Sequence, residues 1–342
     1  MSDERDTAAP STATEREVSP RRRLGRGPRF ALLALGICVV FIVPALGVGS
    51  YGIYLWSLAL VYLLPAAGLN LMLGYAGQIS LAQGAFLGVG AYTVAVTAPD
   101  WPFWLSLPLG TAIGFVLGIL LGLPALRVRH HYLAMVTLAA NQVFVLFVTN
   151  QKFTGGALGI LSIERPKALS SDLGYHVLIT LIGAGAMLLL FWVITSPWGR
   201  AFKGIRENEQ RAAAVGVSLR AYKLLAFAIG SALAALGGAL LAPLLGFVDP
   251  ASFSLTVSLQ FLLIVVLGGR GRFEAAFLGT IVIVVLPEVF RATQGLLPFL
   301  FALATLLIVM FLPGGLTGGF DAVWRKLTRR EPPTLSGQSE GS

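Results

Sequence analysis

Four polar side chains interrupt a glycine-rich apolar stretch between residues 68 and 92. They are Asn70, Gln78, Ser80 and Gln83. Amides and hydroxyls at membrane depth need hydrogen-bond partners, and a glycine-broken helix exposes backbone groups that are tolerated only against protein or a water-filled cavity. The segment therefore predicts either a polar lining for the path of a small solute or a set of hydrogen bonds between helices.

A second segment, residues 197–219, combines charged residues with the periodicity of an amphipathic helix. Its apolar positions are Ala201, Ile205, Ala212 and Val215. Charged side chains fill many of the remaining positions, and Gly216 is suited to end the helix. Such a helix could lie among lipid headgroups or dock into a groove of a soluble partner.

The chain lacks the residues that nucleotide or metal chemistry would need. It has no Gly-x-x-x-x-Gly-Lys-Ser/Thr loop to hold ATP phosphates, and its His and Cys residues are not spaced as a metal site. One ionisable residue, Glu288, lies within a predicted membrane span, near the outer end of that span. Its side chain could face the solute path or pair with Arg291, three residues further on. Ion-coupled carriers usually keep buried ionisable groups. We therefore expect no catalytic residue, no metal and no cofactor bound by this chain, and an energy source in a partner.

Long apolar runs dominate the chain, which is 56% hydrophobic and 12% charged. A soluble domain has about a quarter of its residues charged, whereas a membrane helix needs roughly 20 apolar residues to cross the bilayer. The runs predict an all-α, polytopic integral membrane bundle of about ten transmembrane helices. The predicted helices cover residues 30–48, 51–73, 79–98, 104–123, 131–149, 175–196, 220–243, 253–268, 274–292 and 297–312. Glycine or polar residues make the third and the eighth candidates for broken or re-entrant helices.

Basic residues give the orientation of the bundle. If the N-terminus and the C-terminus are both cytoplasmic, 21 of the 25 Lys and Arg residues fall on the cytoplasmic side, in agreement with the positive-inside rule. Residues 1–29 are polar and arginine-rich, so we expect a disordered cytoplasmic tail. Residues 30–313 then form the transmembrane domain, and residues 314–342 form a second cytoplasmic tail.

The predicted helix 104–123 carries glycines spaced four residues apart. They are Gly110, Gly114, Gly118 and Gly122. This glycine ladder removes side chains from one face, which lets a neighbouring backbone come close. We interpret it as a helix-packing device that carries no information about a solute.

Four ordered motifs resemble the LivM-type permeases of branched-chain amino-acid ABC transporters. They are segments 68–92 and 199–225, Thr154-Gly155-Gly156 and Val265-Val266-Leu267-Gly268-Gly269. The resemblance covers about residues 50 to 315. Residues 270–274 depart from the glycine- and proline-containing stretch typical of the family, and no Leu-Pro follows Gly216 at the usual distance.

The resemblance implies a transporter subunit rather than an enzyme. The implied cargo is branched-chain amino acids, carried across the bacterial inner (plasma) membrane. Urea, amides or another small polar solute are alternative cargoes, and a stand-alone ion-coupled secondary transporter is an alternative of another class. The implied partners are a homologous second permease subunit, two ATPase subunits that use ATP and Mg, an extracytoplasmic solute-binding protein and membrane lipid, with no nucleic acid.

The resemblance also implies that residues 199–217 include the coupling helix that sits on an ATPase subunit. The residues assigned to this contact are Gly199, Arg200, Arg206, Glu207 and Gly216. The candidate translocation path is assigned to Asn70, Gln78, Ser80, Gln83 and Glu288.

Overall fold

The computed structural model describes residues 49–125, 130–166 and 169–289, and these residues are mostly helical. The helices are α1 (Ser50–Leu69), α2 (Gln83–Thr97), α3 (Phe103–Ala125), α4 (His130–Asn150), α5 (Asp172–Thr195), α6 (Pro197–Glu207), α7 (Glu209–Ala214), α8 (Leu219–Leu245), α9 (Leu255–Gly268) and α10 (Phe273–Val289). A π-helical turn, Asn70–Tyr75, continues α1.

Short elements connect the helices at one end of the bundle. The 3₁₀ turns are Lys152–Thr154, Gly156–Leu158 and Pro250–Phe253, and the strands are β1 (Ile160–Leu161) and β2 (Phe247–Val248). The two strands pair antiparallel, with Ile160 opposite Val248 and Leu161 opposite Phe247. This pair ties the α4–α5 connection to the α8–α9 connection.

Every predicted helix that starts within the described residues coincides with an observed helix. Within those residues, six helices are long and apolar enough to cross a membrane, and α10 contributes a shorter apolar helix, Phe273–Val285. The chain is therefore a multi-pass helical membrane protein. The predicted helices 30–48 and 297–312 and the tails 1–29 and 314–342 lie outside the described residues, so the total of ten and the cytoplasmic termini stay predictions.

Helix α2 differs most from its predicted extent. A helix over 79–98 was expected, but α2 begins at Gln83 and has 15 residues. At 1.5 Å per residue it is about 22 Å long, which is short of the hydrocarbon thickness of about 30 Å. The run is therefore helical only from Gln83, and residues 79–82 form a non-helical break before α2.

Helices α1 and α8 form the centre of the bundle and are its most buried spans. Helix α8 packs against α1, α2 and α3, while α1 also packs against α5, α9 and α10. Gly90 allows the backbones of α2 and α8 to come close, because a Cβ on this residue would overlap the Ala235 carbonyl of α8. In contrast, α3 and α4 expose large apolar side chains, which suits contact with lipid or with another membrane subunit. Examples are Val116, Leu120, Met135, Val143 and Leu146.

The connections between helices gather at two opposite ends of the bundle. At the end that we call the inner end, the π-helical turn meets Arg206 of α6 and the α9–α10 loop. At the outer end, the α2–α3 connection near Trp101 borders residues 164–166. These groupings agree with the predicted alternation of the helices, in which the inner end is the cytoplasmic one.

Candidate functional site

The break between α1 and α2 is the candidate site for solute passage. The π-helical turn is buried throughout. It ends where the Ala76 N–H donates to the Leu71 carbonyl at 3.1 Å and the Gln78 N–H donates to the Met72 carbonyl at 2.8 Å. Gly77 has φ +71°, a left-handed conformation that glycine adopts without steric cost. Single π-helical turns occur frequently at functional sites, which supports assigning a function to this break.

Side chains from two other helices hold the N-terminus of α2. The first backbone N–H groups of a helix have no acceptor within the helix. Here the Leu81 N–H donates to Thr137 Oγ1 at 2.9 Å, the Gly84 N–H to Ser258 Oγ at 2.8 Å, and the Ala85 N–H to Asn141 Oδ1 at 2.8 Å. Since Thr137 and Asn141 belong to α4 and Ser258 belongs to α9, three helices meet at the break.

Asn141 uses both ends of its buried amide in this network. Its Oδ1 also accepts from the Ser258 hydroxyl at 3.1 Å, and its Nδ2 donates to the Phe253 carbonyl at 3.3 Å. A buried amide is costly unless it is paired, so these bonds favour one position for the start of α2.

Thr137, Asn141 and Ser258 were not among the site residues predicted from the sequence. All three are polar residues inside otherwise apolar helices, and all three are buried. This is the same signal that singled out Asn70 and Gln83, and it could have identified them as well.

The predicted path residues have different surroundings. Both amide ends of Asn70 are engaged, with Nδ2 donating to the Arg272 carbonyl at 2.7 Å and Oδ1 accepting from the Gly271 N–H at 3.0 Å. The buried Ser80 hydroxyl accepts from the Ala82 N–H at 3.4 Å. Asn70 therefore makes hydrogen bonds between elements, as one of the two interpretations of this segment predicted.

Gln78 and Gln83 lie on either side of Ser80 and are both buried. Within the described residues, neither Oε1 atom has a hydrogen-bond partner. Gln78 and Ser80 lie in the non-helical stretch between the π-helical turn and α2, and Gln83 is the first residue of α2. Glu288 is at the far end of α10, about 22 Å along the helix from Phe273 at the inner end.

An unpaired buried carbonyl oxygen is a strong acceptor without a donor, and leaving it so costs about 1–3 kcal/mol. A solute with N–H groups could supply the missing donor at Gln83. The apolar side chains of Met72, Phe86 and Phe227 form a buried cluster beside it, with the Gln83 Nε2 at 3.5 Å from Met72 Sδ. The break thus combines hydrogen-bond acceptors with apolar surface.

The segment predicted to be a helix at 199–217 is helical, but it forms two helices rather than one. Helix α6 starts where the Ser196 hydroxyl accepts from the Trp198 N–H at 3.1 Å. Helix α7 starts where Asn208 Oδ1 accepts from the Arg211 N–H at 2.9 Å. Ser and Asn are both residue types that favour the N-cap position, and the cap at Asn208 divides the segment.

The two faces of α6 have different surroundings. Gly199, Phe202 and Ile205 are buried against the bundle. Arg200 and Glu207, which are two turns apart and therefore share the opposite face, are exposed. Arg206, the third charged residue assigned to an ATPase contact, is also exposed, so a soluble partner can reach all three.

Helix α7 ends as the sequence predicted. Gly216 has φ +83°, and the Val217 N–H donates to the Ala212 carbonyl at 3.1 Å, which closes the last turn. Lys223 of α8 pairs with Glu209 of α7 at 2.7 Å, so α7 is tied to the central helix α8. Ala212 is buried, whereas Val215, predicted to lie on the apolar face, is 79% exposed at the inner end.

Comparison with known proteins identifies the chain's relatives. A family described as "Branched-chain amino acid transport system / permease component" matches residues 51–313. The high-affinity branched-chain amino acid transport system permease protein LivM of Salmonella typhimurium is 30% identical over 91% of this chain and 77% of its own length. LivM of Escherichia coli is 34% identical over 76% of this chain and 67% of its own length.

A third relative carries a different name. The autoinducer 2 import system permease protein LsrC of an Enterobacter species is 30% identical over 73% of this chain and 74% of its own length. No solved structure shows significant similarity to the chain. Taken with the helical bundle, the match shows that the chain belongs to the branched-chain amino acid transport permease family of ABC transporters.

Proposed function

We propose that the chain is the permease subunit of an ATP-driven importer of branched-chain amino acids in a bacterial inner membrane. The observation that carries the proposal is the family match over residues 51–313, together with the LivM relatives. The match covers both the break between α1 and α2 and the segment that forms α6 and α7.

The chemistry of the break supports an amino acid as cargo. An amino acid ammonium group has N–H donors for the unpaired Oε1 atoms of Gln78 and Gln83. A branched aliphatic side chain could pack on the apolar cluster that includes Met72 and Phe86. We therefore keep Gln78, Ser80 and Gln83 as candidate path residues, and Glu288 as a candidate nearer the outer end.

The work of transport is assigned to partner chains. ATP and Mg would be used by two ATPase subunits, which would contact the exposed face of α6 through Arg200 and Glu207 and the end of α7 near Gly216. A second, homologous permease would complete the membrane pathway, and an extracytoplasmic binding protein would deliver the solute. An ion-coupled carrier working alone is the competing class.

The cargo is tested through the extracytoplasmic binding protein that would deliver solute to this chain. Calorimetry of that purified protein with leucine, isoleucine and valine should show binding. Uptake of labelled leucine by cells that express the complete system should be inhibited by isoleucine and valine, and unaffected by urea. Binding of urea or another amide in place of the three amino acids would contradict the proposal.

The LsrC relatives favour one second candidate, a system that imports autoinducer 2. The same experiment separates the two cargoes. Uptake that is inhibited by autoinducer 2 and not by isoleucine would favour this second candidate.

A further inference from the structure

We propose that Arg206 is a positioning residue for transport that acts inward, on the break between α1 and α2, rather than outward on an ATPase. The inference rests on the proposed function, since it needs a partner that moves α6. We use the name inner junction for the contacts among Asn70, Gly74, Arg206, Gly271 and the Arg272 carbonyl.

The guanidinium of Arg206 meets the open end of the π-helical turn. Its Nη1 donates to the Gly74 carbonyl oxygen. The last carbonyls of a helix lack partners within the helix and form the negative end of its dipole, so a cation there is favourable. Lys203, three residues earlier on α6, places its Nζ 5.5 Å from the centre of the Tyr75 ring. Two cations of α6 therefore bind the last residues of this turn.

The loop between α9 and α10 completes the junction. It is held by Asn70, whose amide bonds to the backbone of Gly271 and Arg272. Gly271 has φ +82°, and a Cβ there would meet the Gly74 carbonyl at 2.6 Å and overlap the Arg206 guanidinium. A Cβ on Gly74 would overlap the Gly271 nitrogen and Asn70 Oδ1. Three segments far apart in sequence are thus packed without space for one added carbon.

The junction lies immediately before the break. A Cβ added to Gly77 would be at 3.5 Å from Arg206 Cγ, which is ordinary van der Waals contact. Gln78, with its unpaired oxygen, is the next residue. Close-packed contacts pass a displacement on rather than absorb it. Movement of α6 must therefore either shift the start of the break or separate Arg206 from Gly74.

The geometry gives the charges of α6 two different tasks. Arg200, Arg206 and Glu207 are all exposed, but the guanidinium of Arg206 also bonds to the membrane-spanning bundle, at the Gly74 carbonyl. Loss of Arg206 should therefore leave the ATPase bound to the permease. It should remove the contact through which movement of α6 reaches the break.

The first test compares Arg206→Ala with Arg220→Ala in the complete complex, reconstituted in proteoliposomes. Arg220 is an exposed arginine at the start of α8, outside the inner junction and outside residues 199–217. We expect both variants to retain the ATPase subunits. In Arg206→Ala alone, the leucine moved per ATP hydrolysed should fall about tenfold, an ordinary size for coupling between sites. Arg206→Lys, which keeps a cation, should restore part of the ratio of leucine moved to ATP hydrolysed.

A merely structural defect would lower transport and ATP hydrolysis together, which would overturn the inference. So would loss of the ATPase from Arg206→Ala, or a ratio equal to that of the wild type. If the wild-type complex itself moves no solute with ATP, the proposed function fails instead.

Hydrogen exchange of the purified permease tests the inner junction without transport. Amides of residues 74–82 should exchange faster in Arg206→Ala and in Gly271→Ala than in the wild type or Arg220→Ala. Equal exchange in all four proteins would overturn the inference.

Discussion

Gln83 and Asn141 are both buried amides at the start of α2, and their hydrogen bonding differs. Asn141 bonds at both ends, to the backbone of Ala85 and Phe253 and to Ser258. The Oε1 of Gln83 has no partner within the described residues. A paired buried amide stabilises a fold, whereas an unpaired one costs free energy. This difference assigns a structural role to Asn141 and leaves Gln83 available for a solute.

Replacement of Gln83 by leucine should therefore reduce transport without reducing stability. Uptake by the complete complex should fall by at least about tenfold, since a hydrogen bond to a charged group contributes about 1.5–3 kcal/mol. The melting temperature in detergent should stay level or rise. Gln260→Leu is the matched control, because Gln260 is exposed on α9. A lower melting temperature with normal uptake in Gln83→Leu would assign Gln83 to the structure instead.

Asn141→Leu should have the opposite effect on stability. It leaves the Ala85 N–H and the Phe253 carbonyl unpaired, at about 1–3 kcal/mol for each buried group. Thermal unfolding in detergent should show a clearly lower melting temperature than for Asn150→Leu, the same change at an exposed position of the same helix. Equal melting temperatures would show that Asn141 does not hold the start of α2.

The polar residues of the break could be predicted from the sequence, but their partners could not. Asn70 and Gln83 are conspicuous because they interrupt an apolar run. The groups that bond to Asn70 lie about 200 residues further along the chain, on the α9–α10 loop. No local pattern reports which distant backbone group a buried amide meets, so Asn70 was assigned to the path on residue type alone.

The sequence predicted the positions of the helices better than their interruptions. Apolar runs correspond to α3, α4, α5 and α8 to within a few residues. The division of the 199–217 segment at Asn208 depends on a single capping hydrogen bond, and the π-helical turn depends on how α1 packs against the α9–α10 loop. Periodicity does not contain either kind of information.

The glycine ladder on α3 shows how elements are held together. The structure places Gly114 and Gly118 against Ala235 and Ser231 of α8. Gly118→Ala should lower the melting temperature, because the new Cβ would overlap the Ser231 hydroxyl and overpacking costs about 1–3 kcal/mol. Gly185→Ala on α5 is the control, with no atom within 4 Å of the new Cβ. A melting temperature of Gly118→Ala that equals or exceeds that of Gly185→Ala would contradict tight packing of α3 against α8.

At the scale of the whole molecule, the inner end should face the cytoplasm. Cys38 is the sole cysteine of the chain, so a Cys38→Ser background permits single-cysteine labelling. Leu158→Cys, 84% exposed at the outer end, should react with a membrane-impermeant maleimide in intact cells. Gln210→Cys on α7 should react only after permeabilisation. Labelling of Gln210→Cys in intact cells would place α6 and α7 outside and exclude contact with an ATPase.

We propose that a partner supplies the energy for transport through this chain, and reconstitution measures this dependence directly. Leucine accumulation is followed in proteoliposomes that contain either this chain alone or the complete complex with its permease partner, ATPases and binding protein. We expect accumulation with ATP in the complete complex, and none by the chain alone under a proton or sodium gradient. Accumulation by the chain alone, driven by either gradient, would contradict an energy source in a partner.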